Sequence, residues 1–438
     1  MTKIQKLIWV VFIILTAFII SNCGCSNPPS YDEINKIILQ ELKETDKLTN
    51  EIPGKIALVV DITQSMRGFV MNPNIGFCKF LDSFHSRFNR TGLTINGLRR
   101  QLDNINSISD LFNSNSYKWK ATDFSLIKEL IDPESVFILI SDFQFNRRND
   151  YRGLIAILQE CLQEKGYFIQ FRGGKLPFDG HVWHELDSEQ IEKYKGPRPL
   201  YALIIGHQKY FADIDNNFDD FPTWTNKITF VRHLINDFKF SQYSNQLNPK
   251  GVPKESSKFF GMYLGKMSSD RHSFTLEVNA PIIKEWFAQP ATKVNAETES
   301  AAQQNQQTTQ PQNSFSNRDI EVDIYKLATD PNNGQLKINT LEFDNILESL
   351  EGQIKPDGTL FIQFKTKNLL MCDNFLFKVK IQTRILPGWI KTWSCRADED
   401  MQSISRKTVL LEEFIQSITA RVDMAFSLAD LYIPVVSD

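Results

Sequence analysis

Two kinds of hydrophobic spacing divide the chain. Before about residue 240, unbroken apolar runs alternate with segments whose apolar residues recur every three or four positions. Ile56 to Val60 and Val136 to Ile140 are five apolar residues each, the pattern of strands buried on both faces. Tyr167 to Phe171, Leu200 to Ile205 and the shorter Leu93 to Leu98 are further strands. Between them, Phe77, Phe80, Leu81, Phe84 and Phe88 fall on one helical face. So do Phe124, Ile127, Leu130 and Ile131, and Leu154, Leu158, Cys161 and Leu162. A short helix is expected near Ile108 to Phe112, and another over Thr225 to Phe238, from Ile228, Val231, Leu234 and Ile235. Alternation of this kind predicts an α/β fold with a doubly wound, mostly parallel sheet over residues 54–240.

From about residue 255 the period becomes two. Phe274, Leu276 and Val278 alternate with polar residues, as do Ile320, Val322 and Ile324, and Leu360, Ile362 and Phe364. Phe375, Phe377, Val379 and Ile381 are the longest series. Half-buried antiparallel strands read this way. Residues 255–438 are therefore expected to form a mostly β, sandwich-like C-terminal domain, with an immunoglobulin-like arrangement as one form of it. Residues 291–317 interrupt it. They are rich in Gln, Ala, Thr and Asn, and that composition predicts a disordered loop. Near the end, Leu411, Phe414, Ile415, Ile418 and Val422 predict a helix packed on the sandwich or back on the first domain.

The strand ends carry the candidate chemistry. Ile56 to Val60 runs into Asp61, Thr63 and Ser65, a carboxylate and two hydroxyls at alternate positions on the turn leaving a buried strand. These are hard oxygen donors, suited to Mg²⁺, Mn²⁺ or Ca²⁺ and not to a soft metal. Thr122 opens a helix, where its ordinary role is an N-cap. Asp142 ends the second buried strand. Ligands of doubly wound sheets bind beyond the carboxyl ends of the strands, where Asp61 and Asp142 both lie.

Asp-x-Thr-x-Ser-Met, then Thr before a helix, then Ser-Asp after a hydrophobic strand, resembles a von Willebrand factor type A (vWA) domain over roughly Lys55 to His207. The resemblance implies that Asp61, Thr63, Ser65, Thr122 and Asp142 form a metal-ion-dependent adhesion site (MIDAS). It would hold Mg²⁺ or Mn²⁺, with Ca²⁺ the weaker candidate. Two positions depart from the family: Thr63 where Ser is commoner, and Phe143 where Gly is usual. With only two anionic ligands, affinity should be modest, and a partner's Glu or Asp would complete the charge. Asp142, at a strand end, is expected outside the core, so that Asp142→Ala would remove the site and spare the fold.

The N-terminus changes the setting. Lys3 and Lys6 precede an apolar run from Leu7 to Ile20, shorter than the ~20 residues of a membrane span but suited to a secretory signal. Ser21-Asn22-Cys23-Gly24-Cys25 follows and resembles the lipobox of bacterial lipoproteins, with Cys23 as lipidation site and Cys25 as the alternative. An uncleaved N-terminal anchor is the other reading. Either places the rest of the chain in the cell envelope, extracytoplasmic and next to a membrane. Residues 1–22 are then a signal peptide and 23–53 a tether, in which Ile34, Ile37, Ile38 and Leu42 predict a short amphipathic helix.

A net charge of -3 gives no basic excess for nucleic acid. Six cysteines are too few for a disulfide framework in 438 residues. Cys78 and Cys161 read as core residues, and Cys372 and Cys395 as a pair that could form in an oxidising compartment. His181 and His184 are spaced for zinc, but no further ligand set accompanies them, and their Gly/Pro-rich surroundings read as a hairpin. There is no Gly-x-Ser-x-Gly, no His-Glu-x-x-His and no phosphate-binding loop. The expectation is thus a binding protein and not an enzyme. It would capture a protein partner through a divalent cation, or else serve as a scaffold or regulatory subunit of an envelope or defence complex.

Overall fold

The computed structural model describes residues 31–42, 51–89, 92–144, 151–163, 167–183, 191–231, 233–235, 238–243, 248–250, 263–265, 272–278, 286, 320–329, 336–340, 346–355, 358–367, 374–383, 386–396, 399, 401–419 and 426–435. The expected signal peptide, Cys23, Cys25, the 291–317 loop, Cys372 and His184 lie outside these residues. Helix α1 (Tyr31–Leu42) forms where the tether was expected to be helical, with Ile34, Ile37 and Ile38 buried.

The first half is built on one seven-stranded mixed sheet. Its strands are β1 (Lys55–Asp61), β2 (Leu93–Leu98), β3 (Leu102–Asn104), β4 (Ser135–Ser141), β5 (Tyr167–Trp183), β6 (Ile191–His207) and β7 (Asn226–Phe230). The spatial order is β3-β2-β1-β4-β6-β5-β7. β1 pairs in parallel with β2 on one side and β4 on the other. All residues of β1 beyond Lys55, and all of β4, are buried, as unbroken apolar runs require. Helix α2 (Phe77–Phe88) crosses from β1 towards β2 and buries its Phe stripe. Helix α3 (Arg152–Gln163) follows β4 and buries Leu154, Leu158 and Cys161.

The expectation of a mostly parallel sheet is corrected here. Only β2, β1 and β4 are mutually parallel; β3, β6, β5 and β7 join antiparallel. The cause is the connection. β5 and β6 pair as one long antiparallel ribbon, from Tyr167↔His207 to Trp183↔Ile191, and the residues between them in sequence are fewer than the dozen or so that a parallel crossover needs. The Gly/Pro-rich segment expected as a hairpin lies within that ribbon.

The helix expected over Thr225 to Phe238 is also corrected. Asn226–Phe230 is a strand, and His233–Ile235 and the stretch from Phe238 are strands too. Ile228 and Val231 match a helical period by coincidence. Thr225, Ile228, Thr229 and Val231 are β-branched, and the open edge of β5 supplies the backbone partners that decide the outcome.

The acidic and aromatic stretch after His207 becomes helix α4 (Phe211–Asp219). Phe218 packs against Phe84 at 6.0 Å between ring centroids, and Phe221 against Phe80 at 5.3 Å, so the Phe stripe of α2 has an aromatic partner. The acidic residues meet Arg172 of β5, which is 1% exposed and bonded to Asp219 at 2.7 Å and to Asp215 at 2.5 Å. Lys227 bridges the same two carboxylates.

The second half is mostly antiparallel. One sheet orders Leu347–Ile354, Leu360–Thr366, His272–Val278 and Phe238–Tyr243. The other centres on Asn374–Thr383 between Ile320–Thr329 and Phe426–Val435. Phe364 of the first and Phe377 of the second meet at 6.4 Å. A stretch between 386 and 419 leaves these sheets and packs on the first half. It contains helices α5 (Gly388–Trp393), α6 (Met401–Arg406) and α7 (Leu411–Thr419). Phe414 stacks on Phe143 at 5.7 Å, and Trp393 lies 6.2 Å from Tyr201. Of the two placements open to the 411–419 helix, the return to the first half is the one found.

Candidate metal centre

β1 lies where the strand order reverses: the chain moves from β1 to β2 on one side and later to β4 on the other. The crevice beyond the carboxyl ends of β1 and β4 is therefore the topological switch point. Val60 is level with Ile140, so Asp61 and Ser141 emerge side by side. The Ser141 hydroxyl donates to Asp61 Oδ2 at 2.9 Å. Beyond β1 a 3-10 turn (Gln64–Phe69) carries Ser65. The loop bearing Thr122 is pinned beside it, because Gln64 N–H donates to the Trp119 carbonyl at 2.8 Å.

All five expected donors meet. Asp61 Oδ1 accepts from Thr63 N–H at 3.0 Å, from the Thr63 hydroxyl at 2.7 Å and from the Thr122 hydroxyl at 3.0 Å. The Ser65 hydroxyl donates to Asp142 Oδ1 at 3.1 Å, and the Thr63 and Ser65 oxygens are 3.2 Å apart. Thr122 is not the N-cap of the helical turn that follows. That role belongs to Asp123, whose carboxylate accepts from Ser125 N–H at 3.0 Å. Thr122 is thereby left for Asp61.

Each hydroxyl has one proton and two lone pairs. The protons of Thr63, Thr122 and Ser141 are directed at Asp61, and that of Ser65 at Asp142. The lone pairs of Thr63, Ser65 and Thr122 remain for a cation, whereas Ser141 Oγ accepts from Phe143 N–H at 3.0 Å. Asp61 and Asp142 are each 2% exposed, and Asp142 Oδ2 accepts no hydrogen bond from the described residues. Ser65 and Thr122 are half-buried and form the side of the centre open to solvent. Burial, and secondarily the charge of Asp142, push the Asp61 carboxyl up to about 6. Burial raises Asp142 too, against the opposing charge of Arg198 and the hydrogen bond from Ser65. Two buried, under-compensated carboxylates among oxygen donors fit a small hard divalent cation. No group of three or more His, Cys, Asp or Glu that could hold a metal occurs among the described residues, so this centre depends on its hydroxyls.

Three residues escaped the sequence reading. Ser141 had a signal, since it precedes Asp142 in the Ser-Asp pair. Arg198 and Gln144 had none. Arg198, on β6, is 3% exposed and places its guanidinium 3.7 Å from Asp142 Oδ2, while also donating to Gln144 Oε1. It reaches the site only because β6 arrives antiparallel beside β4. Asp142 is consequently inside the core, contrary to expectation. Asp142→Ala would strand a buried guanidinium, at a cost of about 3–5 kcal/mol.

Two local features hold the geometry. Phe143 has φ of 47°, the left-handed region that explains a preference for Gly there. Phe occupies it because its ring is wholly buried between Phe124, Phe171 and Phe414. Gly68, in the turn bearing Ser65, lies against the β5–β6 ribbon, where a Cβ would run into the Phe178 ring.

The chain matches no known family model, and comparisons with curated proteins and with solved structures likewise find no match.

Proposed function

We propose that the chain is an exported, membrane-tethered vWA-like binding protein that recognises a carboxylate of a partner protein through a divalent cation. The observation that carries this reading is the convergence of Asp61, Thr63, Ser65, Thr122 and Asp142 at the switch point of the sheet, with Ser65 and Asp142 bonded across 77 residues. Those five residues would hold Mg²⁺ or Mn²⁺. When bound, the ion supplies an electrophilic position for a Glu or Asp of the partner. The half-buried Ser65 and Thr122 leave the approach from solvent open, and Ser141 orients Asp61 from behind.

The test is capture of envelope proteins from the source organism on immobilised protein, in Mg²⁺ and in chelator. Thr122→Ala is the variant of choice because it removes a donor at the solvent edge. Capture lost in chelator and in Thr122→Ala supports adhesion. Capture indifferent to both refutes it and favours the second reading, a scaffold or regulatory subunit with the centre structural or vestigial. That reading also has its own observation, the positive charge of Arg198 already set against Asp142.

The tether is the second part of the proposal. No helix among the described residues is long and apolar enough to cross a membrane. Anchoring is assigned to lipidated Cys23, on the sequence alone. Cys23→Ser should release the protein from membranes and abolish acylation seen by mass spectrometry. Loss on Cys25→Ser instead would move the site, and no acylation of the parent would refute it.

A further inference from the structure

Resting on the metal-centre reading above, we propose that Arg198 is a built-in cation of this centre, which competes with the divalent ion for Asp142 and so sets how tightly the ion binds. The guanidinium approaches Oδ2, the one carboxylate oxygen of the centre that accepts no hydrogen bond among the described residues. Its own position is fixed from two further sides. Gln144 Oε1 accepts from it, and the ring of Phe178 lies 5.3 Å from its central carbon. Phe178 in turn meets Phe69 edge-on at 4.9 Å, in the same 3-10 turn that carries Ser65. Pro197 and Pro199 flank Arg198 in the chain and stiffen the strand that presents it.

Two carboxylates and one guanidinium leave the centre one negative charge instead of two. A divalent ion entering beside Arg198 meets a like charge in a buried setting where screening is weak. It must share Asp142 or displace the guanidinium. Displacement disturbs the packing of Phe178, which together with Phe69, Met71, Ile75 and Pro197 lines a cleft of about 490 Å³ next to the centre. Arg198 is a positioning and affinity-setting residue, not a ligand of the ion.

The experiment compares the parent, Arg198→Gln and the double variant Arg198→Gln/Asp142→Asn, by Mg²⁺ titration calorimetry and by thermal melts in chelator and in Mg²⁺. Arg198→Gln should melt lower than the parent in chelator, regain stability with Mg²⁺, and bind the ion at least about tenfold more tightly. The double variant should melt higher than Arg198→Gln in chelator, since the Asp142 charge that Arg198 opposed is gone, and should gain nothing from Mg²⁺. If the parent binds Mg²⁺ and Arg198→Gln binds it no better, the role of Arg198 is overturned while the metal centre stands. If neither binds Mg²⁺, both readings fall. A folding failure of Arg198→Gln leaves a measurement on the parent itself. There the Arg198 Nε–H resonance, identified as the signal missing from Arg198→Lys, should shift over the Mg²⁺ titration. An unmoved signal at saturating Mg²⁺ overturns the proposal.

Discussion

Replacing Asp61 by Asn should stabilise the metal-free protein at neutral pH relative to its effect in acid. Asp61 ionises near 3.8 in the unfolded chain and at about 6 in the folded one. Between those values the folded protein retains a proton that the unfolded chain has lost. Stability from this group is therefore highest below about pH 4 and falls as pH rises to about 6. The shift is about two pH units, and each is worth ~1.36 kcal/mol, so the ionised carboxylate costs about 3 kcal/mol above that window. Asn cannot ionise, keeps the size, and retains one oxygen for the Thr63 and Thr122 donors. The charge-assisted hydrogen bonds of the ionised carboxylate are already contained in the net shift, so what remains between Asn and the protonated acid is a constant offset. Urea unfolding of both proteins in chelator, followed by tryptophan fluorescence from pH 3.5 to 7.5, gives the difference directly. Asp103 and Asp219, whose carboxyls are held low by Arg99 and by Arg172, make the opposite contribution in acid but cancel between the two proteins. The stability of Asp61→Asn relative to the parent should rise by about 3 kcal/mol across the range. A flat or falling difference would refute the reasoning that burial and Asp142 govern this carboxylate. Saturating Mg²⁺ should flatten the slope in the parent and leave Asp61→Asn unchanged.

Other substitutions probe the supports of the centre. Gly68→Val drives a branched side chain into the Phe178 ring and should cost about 1–3 kcal/mol in chemical unfolding, with weaker Mg²⁺ binding because Ser65 rides on the same turn. Phe143→Gly relieves a left-handed backbone worth about 1–2 kcal/mol but gives up a buried ring worth ~3–5, for a net loss of about 2–3 kcal/mol; a stabilised variant would show that strain outweighs packing. Arg172→Met leaves Asp215 to Lys227 and Gln170 and should lower stability by about 3 kcal/mol, read as a lower urea midpoint with no change in Mg²⁺ affinity.

What the sequence alone reveals differs from element to element. Ile56 to Val60 and Val136 to Ile140 declared themselves as buried strands because every residue in them is apolar, and both faces of β1 and β4 are covered. The Phe77–Phe88 stripe was legible because one helical face holds all its aromatic residues. The five oxygen donors were legible because each stands at or near the end of such an element, where chain connectivity alone limits where a side chain can go. Three things were not. The direction of β6 and β5 depends on whether two strands are joined by a helix or by a ribbon, and Gly/Pro-rich sequence is compatible with a short turn or with the seventeen-residue arms found here. The strand at Asn226–Phe230 depends on an unpaired edge of β5, a property of a neighbour 50 or more residues away. Arg198 is one arginine among many in the sequence. Only the antiparallel arrival of β6 beside β4 puts its charge against Asp142, and local patterning carries no trace of a contact made by strands 56 residues apart.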